Sequence, residues 1–177
     1  MTAGLPRLLS GADRVIGTLA MAFNICGTLL IVWLAILVNA DILGRELFGA
    51  PVSGVPEMVS LSIVAIVFLQ VAQSMRAGRM IRAEAVANLM PRRARAGLFA
   101  LYDLAGAALI GVLIGASWPI FLRAWERGTY VGAVGDFTAP EWPVKLIIIL
   151  GSAVLLAQFL LSALANLLTA LGRGGAP

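Results

Sequence analysis

Asp41 and Arg45 stand four residues apart, so a helix running past Ala40 would put carboxylate and guanidinium on one face. Arg45 would then sit near that helix's C-terminus and Glu57 in the first turn of the next, each where the helix dipole favours its charge. The same residues admit a second role, with Arg45 and Glu57 tying two helix ends into a surface that a partner meets. Gln70 and Gln73 lie three apart on one helical face, and Asn24, Thr28 and Gln158 are single polar positions in apolar surroundings. Their chemistry is hydrogen bonding between helices, worth ~0.6 kcal/mol on average inside lipid. Catalytic sets are missing. With no histidine, histidine-ligated haem, a histidine-containing zinc site and a Ser-His-Asp triad are excluded. Cys26 is the single cysteine, so no intramolecular disulfide and no Cys-x-x-Cys pair can form. No Gly-x-x-x-x-Gly-Lys-[Ser/Thr] loop is present to hold ATP. The reading is a protein that is not an enzyme and needs no metal or cofactor.

The elements that position these residues follow from composition. Of 177 residues, 60% are hydrophobic and 12% charged, about half the charge of an average soluble domain at roughly 25%. A soluble core cannot hide so much apolar surface. Four runs lack any Asp, Glu, Lys or Arg: Val15–Ala40, Met58–Met75, Leu104–Leu122 and Leu146–Gly172. Each meets the ~17–25 residues that a membrane-crossing helix needs. The first holds 13 Val, Ile, Leu and Phe residues, which favour insertion by roughly 4–8 kcal/mol at helix-centre values. A signal peptide has an apolar region of only ~7–15 residues, so this run reads as a span. The expected fold is an all-α integral membrane protein of one domain, 1–177, with spans at 15–40, 57–75, 103–123 and 145–171. A short cytoplasmic interfacial helix is expected at 79–95, because Ile81, Ala85, Val86 and Leu89 recur at helical spacing among Arg79, Arg82 and Glu84. Pro91 should interrupt it ahead of Arg92, Arg93 and Arg95.

Charge sets the orientation. The side bearing both termini and the middle loop carries nine Arg, against four Arg and Lys on the other. The positive-inside rule therefore puts both termini in the cytoplasm, with the basic cluster beside anionic headgroups rather than nucleic acid. Trp118, Trp125, Tyr130 and Trp142 flank the third loop as an aromatic belt at the outer interface. In the first loop, Gly49 and Pro51 should stop one helix, and Pro56 and Glu57 suit the start of the next. Ala107, Gly111 and Gly115 form a small-residue stripe of spacing four that would face another helix.

Four stretches together resemble the small membrane subunit of tripartite ATP-independent periplasmic (TRAP) transporters. The first is Asn39-Ala40-Asp41-Ile42-Leu43-Gly44-Arg45-Glu46-Leu47-Phe48, followed by Pro51, Ser53-Gly54 and Glu57. It is similar to the family's Asp-x-x-x-Arg-x-x-Phe, Pro, Ser-Gly and Glu pattern. The second is Gly78-Arg79-Met80-Ile81-Arg82-Ala83-Glu84, where the family usually shows Gly-His-Ile-Arg-Val-Asp; the His is absent here. Leu89-Met90-Pro91-Arg92 and Pro140-Glu141-Trp142-Pro143, leading to Gly151 and Gln158, complete the set. The resemblance implies a subunit of a secondary, sodium-coupled importer of organic anions in the bacterial inner membrane. Its partners would be a large permease subunit, a periplasmic binding protein and the lipid bilayer. The large subunit would move substrate while this chain anchors it and helps dock the binding protein. An unrelated four-span scaffold and a small self-sufficient exporter are the alternatives. The exporter would need a carboxylate inside the first span, and none is there.

Overall fold

The computed structural model describes residues 7–77, 91–133 and 137–171. The elements run α1 (Arg7–Phe48), α2 (Val55–Arg76), α3 (Arg92–Arg127), β1 (Tyr130–Ala133), β2 (Phe137–Pro140) and α4 (Trp142–Ala170). All four helices are long and apolar enough to cross a membrane. The all-α membrane class expected from the charge-free runs is the observed one.

The first three helices overrun those runs at both ends, and α4 does so at its start. α1 has 42 residues, about 63 Å at 1.5 Å per residue against a hydrocarbon core of ~30 Å. Nothing in Asp41–Phe48 breaks a helix, so α1 continues until Gly49, whose φ is 61°, and whose N–H bonds the Arg45 carbonyl at 3.1 Å. Pro56 lies in the first turn of α2 together with Glu57, as the sequence suggests. Pro91 is the N-cap of α3, with ψ 149°, so Arg92, Arg93 and Arg95 open a spanning helix and do not sit in a loop. The remainder of the expected interfacial helix, with Arg82, lies outside the described residues. Pro119 falls inside α3, which continues to Arg127.

Across the bundle the helices lie in the order α1, α2, α4, α3: α3 packs along α4, α4 also meets α2, and α2 meets α1. α1 makes a smaller contact with α4. Small side chains allow the close approaches, as expected where lipid supplies no hydrophobic drive for helices to associate. Ala20, Ala72, Met75 and Leu155 form the shared core of α1, α2 and α4. Gly151 of α4 lies against the Phe68 backbone carbonyl of α2, so closely that a Cβ there would overlap it. Gly106 of α3 takes the Phe159 ring of α4, which a Cβ would approach to 2.7 Å.

Between α3 and α4 the chain forms an antiparallel ribbon, with Tyr130 opposite Pro140 and Ala133 opposite Phe137. No sequence pattern announces it. Four residues per strand give period-2 alternation too little length to stand out.

Candidate functional site

Polar side chains gather at the two ends of the bundle. At the end bearing the first loop and the ribbon, Asp41 is 5% exposed although it belongs to the most exposed helix. Its Oδ2 accepts from Arg45 Nη2 at 2.6 Å and Nε at 3.1 Å. Its Oδ1 accepts the Val52 backbone N–H at 2.9 Å. The shared face predicted for Asp41 and Arg45 exists because α1 runs past Ala40. The tie from Arg45 to Glu57 does not form. The guanidinium is held by the carboxylate on its own helix, and Glu57 makes no ion pair among the described residues. Asp41 joins α1 to the first loop through a backbone donor, a partner no side-chain pattern displays.

The loop ends at Gly54, the N-cap of α2, with φ 80° and ψ 8°. That left-handed conformation suits glycine, and the Phe137 ring of β2 lies directly on it, where any Cβ would collide. The ribbon's base is closed by Glu141. Its N–H bonds the Thr129 carbonyl at 3.1 Å. Its Oε2 accepts from Thr129 Oγ1 at 3.2 Å and from Lys145 Nζ. The hydrogen bond from Lys145 holds the Glu141 carboxyl below its ordinary range. Trp142 meets Trp125 edge-on at 4.9 Å, continuing a ladder through Phe121 to Trp118. Phe48 closes α1 at 79% exposure.

At the end bearing the termini, Arg76 of α2 donates to Asp13 of α1 with both terminal nitrogens, at 2.8 and 3.0 Å. The guanidinium crosses Gly17, where a Cβ would stand 2.6 Å from Cζ. Asp103 of α3 is 1% exposed, and its Oδ2 accepts from Ser162 Oγ at 2.6 Å and Asn166 Nδ2 at 2.8 Å, both on α4. The run count stops one residue short of Asp103. Ser162 and Asn166, four apart on one face of an apolar helix, were the available signal for an opposing polar group.

The remaining predicted positions are scattered. Gln70 lies over Gly27 of α1, where a Cβ would come within 2.8 Å of its Cγ. Gln73 Oε1 and both amide atoms of Gln158 are buried with no hydrogen-bond partner among the described residues. Of the small-residue stripe, Ala107 is buried, but Gly111 and Gly115 have nothing within 4 Å of a would-be Cβ. The face of α3 that meets α4 runs through Gly106, one position round the helix, because Phe159 needs a flat seat. No group of three or more His, Cys, Asp or Glu able to hold a metal occurs among the described residues.

Comparison with known proteins places these features in a family. The model of the DctQ component of tripartite ATP-independent periplasmic transporters matches residues 34–170, a range that takes in Asp41, Arg45, Gly54, Asp103, Phe137 and Glu141. The ectoine TRAP transporter small permease protein TeaB of Halomonas elongata is 26% identical over 165 residues, covering 93% of this chain and 82% of the relative. No solved structure matches.

Proposed function

The chain belongs to the DctQ component family of tripartite ATP-independent periplasmic transporters, as a multi-pass small permease subunit, and from that premise we propose that it anchors and positions a large permease subunit. The observation that carries this role is how two carboxylates at its helix contacts are used. Asp13 with Arg76, and Asp103 with Ser162 and Asn166, join helix to helix. Groups spent this way serve as struts, whereas a subunit that moves ions keeps ionisable groups at mid-membrane for its cargo. The apolar flank of α1, with Leu29, Val32 and Ile36 more than half exposed, is left for lipid and the larger subunit. The open Gly111 and Gly115 face of α3 is a second such surface.

The proposed importer is coupled to sodium, takes organic carboxylates and works with a periplasmic binding protein. Reconstituted alone, the chain is expected to take up nothing under a sodium gradient. With its cognate large subunit and a loaded binding protein, uptake is expected to appear. The cargo panel should hold carboxylates and also ectoine, the compound in the Halomonas relative's name. Transport by the isolated chain rejects the anchoring role.

The proposed orientation places both termini in the cytoplasm of an inner-membrane protein, from the nine-to-four asymmetry of Arg and Lys. Ala50 and Ala94 are both exposed. In a Cys26→Ala background, Ala50→Cys should react with an impermeant thiol reagent from outside, and Ala94→Cys should not. The opposite pattern reverses the topology.

A further inference from the structure

Three contacts run in series across the end of the bundle that is periplasmic in the proposed orientation. Asp41, two turns before the end of α1, holds the Val52 N–H. The loop doubles back closely enough that the Ala50 N–H bonds the Gly44 carbonyl at 3.1 Å, and a Cβ on Gly44 would come within 2.8 Å of the Ala50 oxygen. Two residues past Val52, Gly54 lies under the Phe137 ring. Phe137 begins β2, which pairs with β1 and ends beside Glu141, where Thr129 and Lys145 close the base.

α3 packs chiefly on α4, and α1 chiefly on α2. At this end, the seat of Phe137 on Gly54 is therefore a bridge between the α1–α2 pair and the α3–α4 pair. We propose that the first loop and the ribbon form one rigid cap, with Asp41 and Phe137 as its positioning residues, and that productive engagement of the periplasmic binding protein requires this cap intact. The proposal rests on the small-subunit reading for its partner and on the contacts above for its mechanics. A cap ordered before the partner arrives spares the complex the entropy of fixing a loop and a ribbon on binding. Separate, loose segments would each incur that cost. Phe137 has a particular role because an aromatic ring on a glycine transmits position through shape. Asp41 has one because its two oxygens serve different elements, Oδ2 the helix and Oδ1 the loop.

The test uses the assembled large and small subunits, with Asp41→Ala, Phe137→Ala and Phe137→Leu in the small one. Backbone hydrogen exchange is read over 49–54, 130–133 and 137–140, and uptake is measured against binding-protein concentration. Phe137→Ala is expected to speed exchange in the first loop as well as in the ribbon, and Asp41→Ala in the ribbon as well as in the loop. Both should raise the binding-protein concentration for half-maximal uptake about tenfold, with the maximal rate little changed, through lost preorganisation. Phe137→Leu, which keeps an apolar seat, should recover most of the loss. Exchange that rises only in the mutated segment overturns the single cap, and so does an unchanged concentration dependence. If Phe137→Ala does not assemble, Asp41→Ala and Phe137→Leu decide by the same readouts. If uptake by the parent complex ignores the binding protein altogether, the functional reading fails, while the exchange data still judge the cap.

Discussion

Gly151→Val is expected to destabilise the subunit by ~3 kcal/mol, the upper end of the range for overpacked interiors. The new Cβ would fall on the Phe68 carbonyl oxygen, a backbone atom of α2 that cannot rotate aside. The helices must then separate along the contact that joins the two halves of the bundle, and Ser152, fully buried beside it, would open with them. For a chain of this size, such a loss lowers a melting temperature by roughly 6–12 °C. Thermal unfolding of the purified subunit in detergent measures it. Gly111→Ala is the control, since nothing lies within 4 Å of its would-be Cβ. It should leave melting unchanged in the isolated subunit. Equal effects at the two positions would contradict the helix order described here.

Asp103→Ala is expected to cost about 1–3 kcal/mol, because it removes a buried carboxylate and leaves the part-buried Ser162 hydroxyl and Asn166 amide of α4 without their acceptor. Removing one partner of a satisfied network costs more than never having built it. A double-mutant cycle of Asp103→Ala with Ser162→Ala distinguishes this from a simple cavity. Groups in one network should couple by about 0.5–2 kcal/mol, while independent sites would add. Additivity would show that the carboxyl is not what holds α3 to α4. Asp103→Asn is a milder change, since an amide oxygen still accepts from Ser162 at the same place. It should retain much of the parental stability.

Family membership narrows what this chain does more than any single residue. The first-loop pattern from Asp41 to Glu57 is readable in sequence because it is local: a helix end, a stop at Gly49, and a start at Pro56, each with its own residue-level cause. The role of Asp41 within it is only half legible. Its pairing with Arg45 follows from a spacing of four, whereas its bond to the Val52 N–H depends on a loop path that residue types do not specify. The alternative Arg45–Glu57 tie does not form because a nearby carboxylate on the same helix, Asp41, engages the guanidinium first.

By itself the sequence determined the membrane class and the number of helices long and apolar enough to span. Those depend on transfer from water to lipid, a property summed residue by residue along a run. It marked the stop of α1 at Gly49, but not how far α3 runs beyond its charge-free stretch, since a helix continues past the hydrocarbon until something stops it. The tertiary structure alone decided the order α1, α2, α4, α3, the seat of Phe137 on Gly54, the contact of Gly151 with Phe68, and the partners of Asp103. Lipid tails are as apolar as leucine, so a face that meets lipid and a face that meets another helix have much the same composition. Hydropathy therefore fixes which segments lie in the membrane, while shape and a few buried hydrogen bonds fix which of them touch.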